Sequence, residues 1–398
     1  MKRITAFMLL LFFAIAPTMN VFAESETKTE AEHYQITPVE FEVDCKSALL
    51  MEATTGEIIY SHNENEALIP ASVTKIMTLL LVTEAIEDGR ISLDDSVTVS
   101  MNAASKGGSQ VFLEEGEKMT VRDLLKCTVI ASANDAAVAL SEHIFGSEGA
   151  FVENMNKRAA ELGMNNSHFE NTTGLDDTTK NHVTSALDIA IMSRELISHE
   201  LILEYSSLWQ DTIRNGEFTL TNTNRLVRYY DGCNGLKTGS TDKAGYCISA
   251  TAKRDDMQLI AVIMGAETRD KRNEIARELL DFGFANYALY CAEEEAIEKA
   301  DVWGATKGSE MLYSKGFTKL IDKKDRAKVE KYYNLPNYIE APILKESELG
   351  TVRYAVGEKI LHVAPVYVKC DIEKIGAPEI FISIIRAALC GKSAAKEE

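Results

Sequence analysis

Short β-type runs and amphipathic helices alternate along the first part of the chain, and their order indicates the fold class. Residues 47–62 predict a hairpin, because apolar runs at 48–51 and 58–60 flank a turn signal of two threonines and a glycine. The pattern beyond it predicts helices at 72–86, 121–130, 136–144, 151–162 and 186–197, strands at 246–252 and 259–264, and a helix at 272–282. Helices between strands predict an α+β fold, with an antiparallel sheet assembled from both ends of the domain.

The pattern changes after about residue 287. Amphipathic helices give way to short β-type runs, at residues 317–321, 343–344, 354–356, 360–363 and 366–368. This change predicts an α+β domain over residues 38–287 and a small all-β domain over residues 288–374. The polar residues 24–37 are predicted to form a flexible leader.

The last segment, residues 375–398, predicts an amphipathic helix and a tail. Between Pro378 and Cys390 the polar residues fall on a narrow arc, and apolar residues cover the rest of the helical wheel. The segment is too short to span a bilayer, so the pattern favours a helix that lies in a membrane surface. A helix docked on the preceding β domain is the alternative.

The amino terminus has the pattern of an export signal. Lys2 and Arg3 precede an apolar run at residues 7–16, and residues 21–23 offer a small-x-small cleavage site. We predict a signal peptide over residues 1–23 rather than an uncleaved anchor, because the run is too short to span a bilayer comfortably. The chain has 398 residues and a net charge of −19, which argues against nucleic acid as a partner.

The cysteines and histidines do not suggest a metal site or a disulfide framework. There are seven of each, and their spacing contains neither a CxxC pair nor an HExxH motif. Most of the cysteines are predicted to be buried small hydrophobic residues, and their odd number leaves at least one thiol unpaired. No metal and no cofactor are predicted.

A serine and a lysine at the start of a predicted helix are the first candidates for chemistry. Ser72 and Lys75 are three residues apart, so they share a helix face. Pro70 places Ser72 in the first turn, where free N–H groups and the helix dipole favour a nearby oxyanion. Serine needs a base, and lysine can act as one if burial or a second cation lowers its pKa. An isolated match of this kind is more often a surface helix.

A second polar motif lies between two predicted helices. Ser132 could relay a proton to a leaving amine, and Asn134 could bond an amide of the substrate. Their flanking residues are apolar, which indicates a polar group placed in a groove. Taken alone, the motif is more simply explained as a helix N-cap.

A third motif, Lys237-Thr238-Gly239, is placed on a predicted strand. Lys237 is the candidate second cation, and Gly239 removes a side chain where a substrate backbone must approach closely. Thr238 and Ser240 offer hydroxyls to a carboxylate. The backbone N–H of Ser240 could complete an oxyanion hole with that of Ser72.

In this order and at these distances, the three motifs resemble those of penicillin-binding proteins and class A β-lactamases. From about residue 39 to 282 the chain resembles a low-molecular-mass penicillin-binding protein, a serine-type D-alanyl-D-alanine carboxypeptidase, and the resemblance continues more loosely to the terminal helix. Its supporting segments are residues 69–72, 134–136, 173–176, 222–224 and 237–246. The resemblance implies a penicillin-binding catalytic domain over residues 38–287, peptidoglycan stem peptides as substrate and β-lactams as covalent ligands. It also implies a location at the outer face of the cytoplasmic membrane or in the cell wall.

Carried over by position, Ser72 resembles the acylated serine and Lys75 resembles its general base. Ser132 and Asn134 resemble the second-motif pair, and Lys237 resembles the substrate-binding lysine. Arg272 resembles the arginine that helps to hold the terminal carboxylate of the substrate, with a solvated charge at a helix start as the alternative. Some relatives carry arginine where Thr223 stands, and some carry histidine where Ser240 stands. A second carboxylate contact at Thr223 is therefore in doubt.

The implied reaction has two steps. The serine attacks the carbonyl between two D-alanines and releases the terminal one, and water then hydrolyses the acyl-enzyme. A β-lactamase is the less favoured alternative, because no E-x-x-L-N segment lies between the second and third motifs. A peptidoglycan DD-endopeptidase is closer kin and harder to exclude. A catalytically silent wall-binding protein is the alternative from another class, although every reactive residue is present.

Overall fold

The first domain is built around an antiparallel sheet whose strands come from both ends of its sequence. We describe a computed structural model, which covers residues 32–37, 39 and 42–390. The strands of this domain are β1 (Ser47–Glu52), β2 (Ile58–His62), β3 (Ser96–Thr98), β4 (Lys118–Thr120), β5 (Gln210–Ile213), β6 (Phe218–Thr221), β7 (Cys233–Thr241), β8 (Gly245–Arg254) and β9 (Met257–Ala266). The main sheet has the order β2-β1-β9-β8-β7, so the α+β prediction is confirmed.

Helices fill the sequence between the two parts of the sheet and follow its last strand. They are α1 (Lys75–Glu87), α2 (Met101–Ala104), α3 (Val121–Ile130), α4 (Asn134–Phe145), α5 (Glu148–Glu161), α6 (Ala186–Ile197), α7 (Glu200–Ser206), α8 (Leu226–Tyr229) and α9 (Arg269–Asn286). Short 3-10 helices cover Ala71–Thr74 and Arg214–Gly216.

The sheet separates two apolar cores. Successive residues of a strand point to opposite faces. Leu49 accordingly packs with the helical block, while Leu50 packs with α9 on the other face. In β9, Ile260 and Val262 face the first core and Ala261 faces the second. Burial on both faces explains why this strand appears in the sequence as an unbroken apolar run.

Most predicted elements of this domain are confirmed. Helices α3 and α6 have the predicted bounds, and the hairpin of β1 and β2 is present. One prediction is wrong in a way that affects the site: Ser72 does not lie in the first α-helical turn, because the residues after Pro70 form a 3-10 turn and α1 begins at Lys75. Such tight turns are common at helix N-termini.

The second domain is all-β, as predicted. Its strands are β10 (Tyr287–Ala292), β11 (Glu295–Trp303), β12 (Ser309–Ser314), β13 (Phe317–Asp322), β14 (Val329–Asn334), β15 (Tyr338–Glu340), β16 (Gly350–Val356) and β17 (Lys359–Tyr367), with a 3-10 helix at Lys323–Lys328. Six of them form a sheet in the order β14-β16-β17-β12-β11-β15, and β10 pairs with β13.

Two strand predictions in this domain are wrong in detail. The run at residues 343–344 makes only an isolated bridge, from Ile343 to Ile372. The two runs at 360–363 and 366–368 belong largely to one strand, β17, because Pro365 inside it does not interrupt the pairing with β16.

Part of the predicted leader pairs with the β domain. Residues 32–37 belong to the predicted leader, yet Tyr34 donates its backbone N–H to the carbonyl of Ile360 (2.8 Å), so this part is not a free segment. The predicted signal peptide lies outside the described residues.

At the carboxyl-terminal end of the described residues, α10 (Ala377–Cys390) confirms the predicted helix. Among the described residues, no helix has both the length and the apolar character needed to cross a membrane.

Candidate active site

The 3-10 turn before α1 brings the serine and the lysine of the first motif together. In a 3-10 helix, side chains three residues apart stand directly above one another. Lys75 Nζ lies 3.0 Å from Ser72 Oγ. Ala71 has a φ of 49°, a left-handed value that is costly for a residue with a side chain. The fold therefore maintains a strained turn at the point where the serine is presented.

Lys75 is completely buried, and protein oxygens surround its amine. Besides Ser72, Nζ lies 2.5 Å from Asn134 Oδ1 and 2.8 Å from the carbonyl oxygen of Thr173. Burial lowers the pKa of this amine well below its ordinary value, and the positive charge of Lys237 lowers it further, while Asp135 acts in the opposite direction. A lysine in this setting can hold a neutral, proton-accepting amine.

The second motif joins α3 to α4 and places its two side chains differently. Ser132 has a φ of 61° and lines the cleft, and its buried Oγ has no hydrogen-bond partner among the described residues. Asn134 begins α4 and has both ends of its amide engaged by protein, with Nδ2 donating to the carbonyl of Gly107 (2.7 Å). Ser132 is therefore the freer of the two groups.

A buried aspartate that sequence reasoning missed holds the loop opposite this motif. Asp135 accepts hydrogen bonds from the backbone N–H groups of Val111 and Leu113, each at 3.1 Å. These bonds fix the loop that contributes Ser109 to the cleft. The motif's apolar neighbours gave no signal of this role, because it depends on the loop's tertiary position.

Strand β7 lies along the serine turn and holds the third motif. Lys237 is 1% exposed, and burial, followed by the charge of Arg272, lowers its pKa to about 7. A Cβ on Gly239 would lie 2.7 Å from Ser72 N and 2.9 Å from Pro70 O, so only glycine permits this approach of strand and turn. Thr238 donates from Oγ1 to Thr223 Oγ1 at 2.9 Å.

Arg272 lies in the first turn of α9 and lines the same cleft. It is 3% exposed, so the solvated charge considered for it is wrong. Nη1 donates to the carbonyl of Cys247 at 3.3 Å, while Nε and Nη2 donate to Asn273 Oδ1 at 3.1 and 2.9 Å. Burial, with a contribution from the nearby Arg269, lowers its pKa to about 10.

These groups surround one polar cleft of about 650 Å³. The predicted site residues that line it are Ser72, Ser132, Thr238, Gly239, Ser240 and Arg272. Sequence reasoning did not single out several other lining residues, namely Ser109, Trp209, Thr221, Arg225, Tyr229 and Arg269. Arg225 directly follows the quoted segment 222–224 and Arg269 lies three residues before Arg272, whereas no sequence feature indicated Ser109 or Trp209.

The segment after α5 supports the serine turn from behind. Gly174 has a φ of 81°, and a Cβ on it would come within 1.8 Å of the carbonyl oxygen of Ala71. His182 lies 2.8 Å from Thr74 Oγ1 and accepts the backbone N–H of Glu170 at its Nδ1. Because Nδ1 is the acceptor, the neutral ring carries its proton on Nε2 and donates it to Thr74.

Of the described residues, those that could hold a metal ion lie outside the cleft. Glu84, Glu195 and His199 bring one ligand atom each within 4.8 Å of the others. Arg158 already bridges the two glutamates, at 2.8 and 2.7 Å. The guanidinium thus takes the place of a cation between them.

Comparisons with known proteins agree with this geometry. Residues 30–268 match the family described as D-alanyl-D-alanine carboxypeptidase, and residues 284–374 match the C-terminal domain of penicillin-binding protein 5. The chain is 40% identical over 396 residues to the D-alanyl-D-alanine carboxypeptidase DacF of Bacillus subtilis, covering 98% of each chain.

Solved structures show the same similarity. Penicillin-binding protein 5 of Haemophilus influenzae is 31% identical, with a TM-score of 0.74 over 85% of this chain and all of its own. Penicillin-binding protein D2 of Listeria monocytogenes, solved with bound ampicillin, is 32% identical, with a TM-score of 0.57 over 62% of this chain and 100% of its own. Fold and site thus define a penicillin-binding protein.

Within that class, the chain belongs to the D-alanyl-D-alanine carboxypeptidase family. The predictions of a serine peptidase and of its fold class are therefore confirmed.

Proposed function

We propose that Ser72 is the nucleophile of this carboxypeptidase and that Lys75 is its general base. The observation that carries the proposal is the 3.0 Å separation of Lys75 Nζ from Ser72 Oγ, with the lysine fully buried. A neutral amine there can take the hydroxyl proton as Oγ attacks the carbonyl between the last two D-alanines of a stem peptide. Lys237 assists by disfavouring a second positive charge nearby.

The proton that Lys75 took from Ser72 then passes through the hydroxyl of Ser132 to the leaving amine, which leaves the amine of Lys75 neutral again. The Ser132 hydroxyl lines the cleft and has no partner among the described residues, so it is available for this relay. The C–N bond breaks, the terminal D-alanine leaves and the acyl group remains on Ser72. The backbone N–H groups of Ser72 and Ser240 stabilise the oxyanion in this step and when water later hydrolyses the ester.

The other predicted residues hold the substrate. Arg272 and the hydroxyls of Thr238 and Ser240 face the cleft, where they bind the terminal carboxylate. Gly239 lets the substrate backbone lie against β7. Lys237, a buried residue of β7, adds positive potential to this part of the site. Asn134, whose amide is already engaged, orients Lys75 in the resting enzyme and contributes to substrate binding by a shift of its amide.

β-Lactams are ligands of the same site. A β-lactam carbonyl would acylate Ser72, as a stem peptide does, and leave an ester that hydrolyses slowly. The ampicillin-bound relative from Listeria supports this proposal. A DD-endopeptidase, which would cut cross-links with the same groups, is the second candidate, since the cleft of about 650 Å³ has room for a leaving group larger than alanine.

The enzyme acts outside the cytoplasm, at the outer face of the membrane or in the cell wall. The export pattern of residues 1–23 supports this location. The exposed apolar face of α10 supports membrane attachment: Phe381 is 65% exposed and Ile384 is 62% exposed. A helix docked on the β domain would bury these side chains, so an in-plane membrane helix is the better explanation.

The test is a Ser72→Ala variant assayed in two ways. Release of D-alanine from a pentapeptide and covalent labelling by a fluorescent penicillin should both be lost. Ser92→Ala, an exposed serine outside the cleft, is the matched control and should retain both. Continued D-alanine release by Ser72→Ala would refute the proposal. Rapid turnover of penicillin by the unmodified enzyme would indicate a β-lactamase instead.

A further inference from the structure

Three arginines meet at the end of the cleft where the proposed function places the terminal carboxylate. Arg225, Arg269 and Arg272 all line this cleft. Among the residues that the structure describes, none of the three forms an ion pair. The chain carries a net charge of −19, so a cluster of three arginines with no carboxylate partner among the described residues is opposite in sign to the chain as a whole.

Two of these arginines occupy an unfavourable position. Arg269 and Arg272 lie in the first turn of α9, at the positive end of the helix dipole. Asp270, in the same turn, offsets part of this cost but does not pair with either. Arg225 adds a third charge near enough to lower the pKa of Arg272. The positive charges of the three arginines repel one another when the cleft is empty, and a bound anion would relieve that repulsion.

A single carboxylate does not require all three groups. Arg272 is buried and can meet the terminal carboxylate at the floor of the cleft, as proposed above. Arg225 and Arg269 are both exposed at its mouth. Arg225 lies two residues after Thr223, whose hydroxyl accepts a hydrogen bond from Thr238, so Arg225 lies close to the carboxylate end of the site.

The cleft, of about 650 Å³, also has an aromatic wall that a residue longer than alanine could contact. Trp209 and Tyr229 form one wall, with ring centroids 6.3 Å apart, and the guanidinium of Arg228 lies over both rings. A side chain with two or three methylene groups could lie against this wall and bring a charged end to the mouth of the cleft.

We propose that Arg225 and Arg269 form a subsite for a second carboxylate on the released residue, so that peptides ending in an acidic D-amino acid are substrates. This inference rests on the proposed function. The bond broken is the same C–N bond, and the released amine is that of D-glutamate instead of D-alanine.

The experiment compares two matched peptides, acyl-D-Ala-D-Glu and acyl-D-Ala-D-Gln, which differ in charge but hardly in shape. The enzyme should cleave the acidic peptide with a kcat/KM at least equal to that of the neutral one. Arg225→Ala with Arg269→Ala should lower the ratio of the two kcat/KM values about 10-fold, because charged hydrogen bonds to the second carboxylate are lost. The corresponding double lysine variant should restore part of it.

Arg277→Ala is the control, since this exposed arginine lies on α9 but outside the cleft. It should leave the ratio unchanged. Raising the salt concentration should lower the ratio in the unmodified enzyme and have little effect in the double alanine variant.

An unmodified enzyme that strongly prefers the glutamine peptide would overturn the inference. So would an equal loss on both peptides in the double alanine variant, because that result would assign all three arginines to the single terminal carboxylate. Hydrolysis of acyl-D-Ala-D-Ala is measured in parallel: its absence in the unmodified enzyme would refute the proposed function itself, and the inference with it.

Discussion

Two buried lysines within one site conflict electrostatically, and the conflict is useful to the chemistry. Burial disfavours the charged form of each, and both Lys75 and Lys237 have a lowered pKa. Among the carboxylates that the structure describes, Asp135 is the one that raises the pKa of Lys75, and its oxygens accept hydrogen bonds from backbone N–H groups. The pair therefore avoids a double positive charge by keeping an amine neutral beside Ser72, which is what a general base requires.

Lys75→Arg should separate charge from proton transfer. An arginine keeps a positive charge and several donors at this position, but it cannot give up its proton at neutral pH. We expect acylation by a labelled penicillin to slow by about 10²- to 10⁴-fold, the usual contribution of a general base. Single-turnover kinetics measures this, with thermal unfolding as a check that the variant folds. Acylation within a few-fold of the unmodified rate would contradict the role of Lys75.

Gly239→Ala should distort the site through one methyl group. Its Cβ would meet backbone atoms of the serine turn at 2.7 to 2.9 Å, so β7 or the turn must move. A displacement of about 1 Å can cost about 10²-fold in rate, and overpacking costs about 1 to 3 kcal/mol of stability. Gly149→Ala in α5 is the control, because nothing lies within 4 Å of its Cβ. It should leave acylation unchanged; similar losses in the two variants would contradict the steric argument.

At the scale of elements, sequence periodicity predicted what is local and missed what depends on tertiary position. Helix α3 matches its predicted bounds because its apolar spacing is regular, and β7 was recognised from its motif. The three-residue strands β3 and β4 gave too short a pattern to detect. Likewise, the motifs predicted the reacting groups, whereas the wall formed by Trp209 and Tyr229 arises from segments that no short-range pattern connects.

The segment between α5 and α6 adds a pH-dependent contact to the serine turn. His182 is 3% exposed, and burial lowers its pKa from 6.5 to about 4. The unfolded chain binds a proton at this residue at a higher pH than the folded chain. The contribution of the neutral His182 ring to the free energy of unfolding is therefore fully present above pH 6.5, and it is lost as the pH falls towards 4.

We expect this contact to account for about 2 kcal/mol of unfolding free energy lost between about pH 7.5 and pH 5. His182→Gln should lack that component, so its stability should fall less over the same interval. Denaturant unfolding at both pH values measures the difference, and His143→Gln, an exposed histidine on α4, is the control. An equal pH dependence in His182→Gln and the unmodified enzyme would mean that the ring also ionises freely in the folded state.

At the scale of the whole molecule, the catalytic cleft and the terminal helix belong to different domains. The predicted division at residues 287 and 288 falls at the start of β10, whose Tyr287 and Leu289 pack with α9 in the second core of the catalytic domain. The β domain thus connects to the catalytic domain through apolar contacts as well as through the chain. We expect it to act as a spacer between the proposed membrane helix and the cleft.

Membrane attachment through α10 should depend on apolar area rather than on charge. The chain carries a net charge of −19, so an anionic bilayer repels it, and the exposed Phe381 and Ile384 must supply the attraction. Phe381→Glu with Ile384→Glu, both made in the chain from residue 24 onward, should weaken sedimentation with phosphatidylglycerol–phosphatidylethanolamine vesicles by at least about 10-fold. The reason is that each buried apolar side chain contributes about 1.5 to 3 kcal/mol.

Val363→Glu, at a position 43% exposed on the β domain, is the matched control and should sediment like the unmodified chain. Added salt should strengthen binding of the unmodified chain by screening its repulsion from the bilayer. Vesicle binding that survives the double substitution, or that salt abolishes, would place the attachment elsewhere on the molecule.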